Sequence, residues 1–305
     1  MNIGLIDMDG SHFPNLALMK ISSYHKTKGD NVEWYCPMTS QHKDIVYISK
    51  IFTFKDDFPY EIKADKVIKG GTGYDIKSVL PTEIENCKPD YSIYPNIKYA
   101  IGFLSRGCIR QCKECVVPLK EGNIRFNDTW ENIKRDDSNN ILFLDNNFLA
   151  CKKAVKNLET MKGYKINFDF NQGLDCRLFT DEHACLLSEL KIKTMAGRSG
   201  KFIKGIRFSC DRKEQMPYIE KAVQLMSKYG YKAGDFNIYM LLTNDYNDAV
   251  YRLNFLKELG VCVNAQPFRD LYNQNLIIPK WQKAMANYTF KKASYKSHSW
   301  EEHDW

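Results

Sequence analysis

Tyr99-Ala100-Ile101-Gly102-Phe103-Leu104-Ser105-Arg106-Gly107-Cys108-Ile109-Arg110-Gln111-Cys112-Lys113-Glu114-Cys115 is an apolar run that passes directly into a polar loop bearing three cysteines. The run, residues 99–104, reads as a strand. Five more strand candidates follow, at residues 141–144, 166–170, 205–209, 236–242 and 261–266. Helical patterns lie between most of them, including residues 184–190, 219–229 and 248–259, the last closed by Gly260 where a helix C-terminus favours glycine. Strands that alternate with helices predict a parallel sheet of α/β class. Six such units in succession predict a partial (β/α)6 TIM-like barrel, with chemistry at the C-terminal ends of its strands. The cysteine loop begins at such an end.

Working outward, the chain before this series also alternates. Residues 3–8 are apolar and are broken by Asp9-Gly10-Ser11. Leu16, Met19 and Tyr24 fall near helical spacing, Leu18 and Ile21 broaden that face, and the helix is expected to stop at Gly29. Residues 33–36, 44–49 and 66–69 read as strands, the last halted by Gly70-Gly71. This pattern predicts a small, doubly wound parallel-sheet domain over residues 1–95. The barrel is expected over 96–275 and a C-terminal extension over 276–305. Gly70-Gly71-Thr72-Gly73 is read as a tight turn, because one glycine-rich turn is weak support for a phosphate site.

Composition sets outer limits. The 305 residues are 44% hydrophobic, enough for a sizeable core. No apolar stretch has the length of a membrane span, and the N-terminus lacks the basic start of a signal peptide, so a soluble cytoplasmic protein with no membrane partner is expected. The net charge is +7 and the pI about 8.7, which permits an anionic or nucleic-acid partner without requiring one. The charges are dispersed, so nucleic-acid binding has no specific support.

The chain has ten cysteines, and in a reducing compartment they should remain thiols. Seven are scattered, several in apolar runs where cysteine acts as a small hydrophobe. The other three, Cys108, Cys112 and Cys115, form a C-x3-C-x2-C set in a loop too polar to be core. Thiolates are the usual protein ligands of iron–sulfur clusters. Arg106 and Arg110 lie close by and are expected to favour the thiolate forms. Three cysteines would leave one iron of a [4Fe–4S] cluster open to a further ligand. A structural zinc site prefers four ligands in paired spacing, and neither a second close cysteine pair nor paired histidines is present. Zinc completed by a distant residue stays as the alternative.

A C-x3-C-x2-C loop after the first strand of a six-fold βα series resembles the radical S-adenosylmethionine (SAM) superfamily, over about residues 96–275. The resemblance implies three cysteines on a [4Fe–4S] cluster and SAM chelated at its open iron. One electron from an external donor then cleaves SAM to methionine and a 5′-deoxyadenosyl radical, which takes a hydrogen atom from a substrate that the sequence does not identify. It also implies SAM contacts from strand ends. Asp145, Asn146 and Asn147 would hold the amino group, with an ordinary helix cap or turn as the alternative. Asn171, Gln172 and Arg177 would reach SAM or substrate. Arg207, Ser209 and Asp211 share one face of a strand: Ser209 or Asp211 would meet the ribose and Arg207 the carboxylate, with a plain buried ion pair as the alternative for Arg207. Asn264, Gln266 and Arg269 would reach the same mouth.

Two departures qualify the likeness. The family often has an aromatic residue before the third cysteine, and here Glu114 stands there. The N-terminal segment resembles the cobalamin-binding type, but Asp9 and His12 do not match its D-x-H-x-x-G loop, so a degenerate domain without cobalamin is expected. Two further readings stay open: a non-catalytic iron–sulfur or zinc protein that binds nucleic acid or a protein partner, and an RNA-modifying member of the same superfamily. The latter calls for a second cluster or an appended RNA-binding module, and the sequence offers neither.

Overall fold

In the N-terminal part, both faces of the strand Asn2–Asp7 (β1) are buried, as a central parallel strand requires. The computed structural model describes residues 1–10, 13–197, 200–270 and 277–303. The chain divides into two compact units, Met1–Lys98 and Tyr99–Trp305.

In the first unit, β1 lies between β2 (Asn31–Trp34) and β3 (Lys43–Ser49), and β4 (Ala64–Gly70) completes an all-parallel sheet of order β2-β1-β3-β4. Helix α1 (Leu16–Thr27) starts at Asn15, whose side chain accepts from the Leu18 N–H. Leu18 and Ile21 of α1, with Ile84 of the short α2 (Thr82–Glu85), cover Ile3 and Leu5 on one face. The other face, with Ile6, Val46 and Ile48, is covered by Phe58 and Ile62 from a segment without helix. The expected doubly wound arrangement is therefore corrected to helices on one face only. The covering stretch Ile51-Phe52-Thr53-Phe54-Lys55-Asp56-Asp57-Phe58-Pro59 has no helical apolar period, and Pro59 disfavours helix at and before it.

The glycine-rich turn is tight, as expected. Gly71 has φ +95°, and a Cβ there would lie 2.4 Å from the Lys50 carbonyl oxygen. The Asp9 carboxylate accepts from the Ile51 and Phe52 N–H groups. His12 lies outside the described residues.

The second unit opens with β5 (Ala100–Gly102). The hairpin pair β6 (Ser105–Arg106) and β7 (Arg125–Phe126) follows, with short helices α3 (Val117–Lys120) and α4 (Trp130–Ile133). Next come β8 (Asn140–Phe143), α5 (Lys152–Glu159), β9 (Asn167–Phe170) and α6 (Asp181–Glu189). A second antiparallel hairpin, β10 (Lys193–Ala196) and β11 (Lys201–Lys204), precedes β12 (Ile206–Ser209), α7 (Met216–Ser227), β13 (Phe236–Leu242), α8 (Tyr246–Glu258) and β14 (Cys262–Pro267). Strands β5-β8-β9 form one parallel sheet and β12-β13-β14 another. Leu174 forms a parallel bridge to Phe208, and its N–H donates to the Arg207 carbonyl, so the two sheets meet in chain order.

All six expected strands are present, with small shifts at their ends. The β10–β11 hairpin was not anticipated, because its lysine-rich strands carry little apolar signal. The tail also differs from the separate extension expected over 276–305. Helix α9 (Lys280–Phe290) sends Met285 and Tyr288 into the same core as the strands, and the Thr289 hydroxyl accepts from the Ala265 N–H of β14. The short α10 (Lys292–Ser297) follows, and Trp300 beyond it is 1% exposed. Among the described residues, no helix is long and apolar enough to cross a membrane.

One buried cation ties the later strand ends together. Arg252 of α8 is 0% exposed. Its guanidinium donates to the Cys210 carbonyl at 2.8 Å, the Leu241 carbonyl at 3.0 Å and Asp248 Oδ2 at 2.7 Å. Replacing it strands all three acceptors. Arg252→Leu is expected to lower unfolding stability by about 3 kcal/mol, read as a lower urea midpoint.

Candidate metal centre at the strand ends

The cysteine loop is closed at its neck by backbone contacts. The β6–β7 pairing brings its two ends together, and the Cys108 N–H donates to the Gly122 carbonyl at 3.1 Å. Gly107 has φ +87°, and a Cβ there would stand 2.3 Å from the Asn123 carbonyl oxygen. Only glycine fits at that point. Arg106 makes a two-pronged ion pair with Glu121 at 2.9 and 2.8 Å, and Glu121 also pairs with Arg125. The Arg106 charge is thus paired with a carboxylate at the far end of the loop.

Asp145, Asn146 and Asn147, at the end of β8, brace this neck from below. Asp145 is 1% exposed and accepts from the Leu104 N–H at 3.0 Å and from the Ser105 N–H and hydroxyl, both at 2.6 Å. Asn146 Oδ1 accepts from the Gly107 N–H at 2.9 Å. Asn147 Nδ2 donates to Cys108 Sγ and to Asp175 Oδ2, each at 3.3 Å. Three consecutive side chains thus hold three successive points of the chain that leads to Cys108. Asp145, expected to meet SAM, is instead committed to backbone. Burial pushes its carboxyl up to about 7, against the donors that favour the ion. Asn147 is 3% exposed, and its Oδ1 has no partner among the described residues. The amide orientation is decided by Asp175: a flipped amide would set oxygen against a carboxylate that only accepts.

Asp175 is the hub that sequence reasoning passed over. It accepts from Arg110 Nε at 3.0 Å, from Arg177 Nε at 2.7 Å and from Asn147. Burial works against its charge, but Arg177 and Arg110 hold its carboxyl below the usual range. Arg110 therefore anchors the loop to the turn after β9, through a carboxylate it shares with Arg177. Its backbone N–H donates to Cys108 Sγ at 3.3 Å. No short-range signal links Arg110 with Asp175, 65 residues later. A hint was the crowding of Asp175 and Arg177 in one polar turn.

The other expected contacts divide. Arg207 is the plain buried ion pair. Its Nε lies 3.0 Å from both oxygens of Asp169, and its other nitrogens donate to Tyr239 Oη and the Met195 carbonyl. Tyr239 Oη donates onward to the Asn171 carbonyl at 2.9 Å, so Asn171 enters this network through its backbone. Gln172 is exposed, and so are Asn264, Gln266 and Arg269. Arg177 is tied to Asp175. The Ser209 carbonyl accepts from Cys176 Sγ, and Asp211 Oδ1 accepts from the Leu241 N–H at 2.9 Å. Asp211 lines a cleft of ≈ 330 Å³ together with Glu114, Arg212, Thr243, Asp245 and Asp248. Glu114 Oε2 pairs with Arg212 at 2.7 Å, so the residue that departs from the family pattern ties the cysteine loop to the end of β12.

All ten cysteines are free. Cys115 is exposed as a residue, yet desolvation first, and then Cys112, Cys108 and Asp211 as like-charged neighbours, push its thiol above the ordinary value. Among the described residues, no three His, Cys, Asp or Glu side chains converge as the ligands of one metal ion. In a cubane each cysteine ligates its own iron, so its ligand sulfurs do not converge on a single point. The donor set, three thiols on one constrained loop beside an unpartnered amide oxygen, fits a cluster with one open position. No protein-family model and no curated protein matches the chain.

The buried Asp145 gives two expectations. Asp145→Ala leaves two backbone N–H groups and a hydroxyl without acceptors, costing about 3 kcal/mol; a lower melting temperature and faster alkylation of Cys108 should follow. The proton is held more tightly in the folded chain than in the unfolded one. The stability Asp145 contributes is therefore present below its ordinary pKa and is lost as pH rises through about 7. Between about pH 5 and pH 8 the wild type should lose more stability than Asp145→Asn, measured by urea titration at each pH.

Proposed function

We propose that this chain is a radical SAM enzyme acting on a substrate not yet identified. One observation carries the reading: the C-x3-C-x2-C loop follows the first of six parallel strands at its C-terminal end. It is supported by buried Asn147, which contacts Cys108 and whose Oδ1 has no partner among the described residues. The two parallel sheets in chain order, bridged at Leu174 and Phe208, support a partial (β/α)6 barrel as the finer description.

In this reading Cys108, Cys112 and Cys115 hold a [4Fe–4S] cluster. When bound, such a cluster passes one electron from an external donor into the SAM sulfonium, giving methionine and a 5′-deoxyadenosyl radical. The chain's own residues bind and orient. Asn147 Oδ1 accepts from the SAM ammonium, replacing the direct role first expected of Asp145. Arg177, whose side chain is 28% exposed, offers donors to the carboxylate in place of Arg207. Ser209 and Asp211 serve the ribose hydroxyls. The cleft beside Glu114 and Asp211 takes the remainder of the bound molecules. The first unit acts without cobalamin, since Asp9 is engaged with the Ile51 and Phe52 N–H groups. Ten free thiols suit a reducing, cytoplasmic setting.

Anaerobic purification should yield about four irons and four sulfides per chain, lost in Cys108→Ala, Cys112→Ala and Cys115→Ala. With dithionite and SAM, the wild type should release 5′-deoxyadenosine and the three variants none. One zinc per chain without sulfide would favour the metal-binding alternative, and a well-formed, reducible cluster without SAM cleavage would overturn the enzymatic claim.

A further inference from the structure

The sulfur of Cys108 accepts two N–H hydrogen bonds, from the Arg110 backbone and from Asn147 Nδ2, each at 3.3 Å. The first is main chain and survives any side-chain substitution. The second depends on one amide, and that amide is not free to turn. Its Nδ2 also donates to Asp175 Oδ2, which is held in turn by Arg110 and Arg177. Asn147 is 3% exposed, so its N–H dipole acts on the sulfur where water screens little.

An N–H pointed at a cysteine ligand draws electron density from the sulfur. It stabilises the more negative, reduced state of whatever iron centre the sulfur holds, and hydrogen bonds to sulfur are a recognised control of cluster potential. We infer that Asn147 sets the ease of one-electron reduction at this centre through Cys108, and that Asp175 is the positioning residue that keeps its N–H on the sulfur. The inference rests on the cluster reading above but concerns a different property. The step is the gain of one electron by the cluster from an external low-potential donor, with no bond made or broken. The Oδ1 of the same amide faces a separate task, so a single side chain divides its two ends between sulfur and ligand.

The test is an anaerobic redox titration of the cluster-loaded full chain with dithionite and mediators, without SAM, read by the electron paramagnetic resonance signal of the reduced state. Iron and sulfide are counted in each sample. Asn147→Leu keeps the bulk and removes the donor. It should lower the reduction equilibrium constant about tenfold, which is 59 mV more negative for a one-electron couple. Asp175→Glu keeps the charge but displaces the acceptor that orients the amide, and should shift the constant in the same direction by about threefold. If Asn147→Leu does not load, Asn147→Ala, smaller and without a side-chain donor, takes its place with the same expectation. A loaded variant whose constant stays within about twofold of wild type overturns this inference alone. A wild-type chain that holds no cluster overturns the parent reading and this one with it.

Discussion

The Asp145 carboxylate grips the chain where the first strand of the second unit leads into the cysteine loop. Its oxygens take the N–H groups of Leu104 and Ser105 and the Ser105 hydroxyl, deep in the second unit. Buried as they are, those donors would otherwise be orphaned. The next residues repeat the device one step further along, Asn146 on Gly107 and Asn147 on Cys108. The position of the first cysteine thus follows from a strand that is its neighbour in the sheet but lies about forty residues on in the chain.

A second constraint is electrostatic. Four arginines near the loop each have an assigned carboxylate: Arg106 with Glu121, Arg110 and Arg177 with Asp175, and Arg212 with Glu114. These pairs fix geometry more than they contribute net stability, because desolvation offsets much of their attraction. Their effect is to pin the loop on three sides: to its own far end, to the turn after β9 and to the end of β12. The thiols are left on a braced framework, with Arg177 and Arg212 close enough to Cys112 to interact with it electrostatically.

Much of this was legible. The six parallel strands of the second unit were legible because each buries at least one apolar face: β5, β8 and β9 are largely buried on both, whereas β12, β13 and β14 alternate. The cysteine loop was legible because its three cysteines are close in sequence. The first unit was read less well. The doubly wound expectation assumed a helix after each strand, whereas Phe58 and Ile62 cover the second face from an irregular segment. The tail around Tyr288 and Trp300 looked irregular, yet it is core, because aromatic burial needs no period.

The sequence by itself determined the six parallel strands of the second unit and the position of the three cysteines after the first of them, since both are local properties of residue type and spacing. Only the tertiary structure decided what the polar residues at the strand ends do. Asp145, Asn147, Arg207 and Asp211 looked alike as mouth-facing groups, but each takes its role from partners distant in the chain. Arg207 is absorbed by Asp169 and Tyr239, Asp145 by the N–H groups of Leu104 and Ser105 and the Ser105 hydroxyl, and Asn147 is left with one end on sulfur and the other without a partner among the described residues. Hydrogen bonds and ion pairs are short-ranged and directional, so which acceptor meets which donor is settled only when the sheets close and bring the strand ends together.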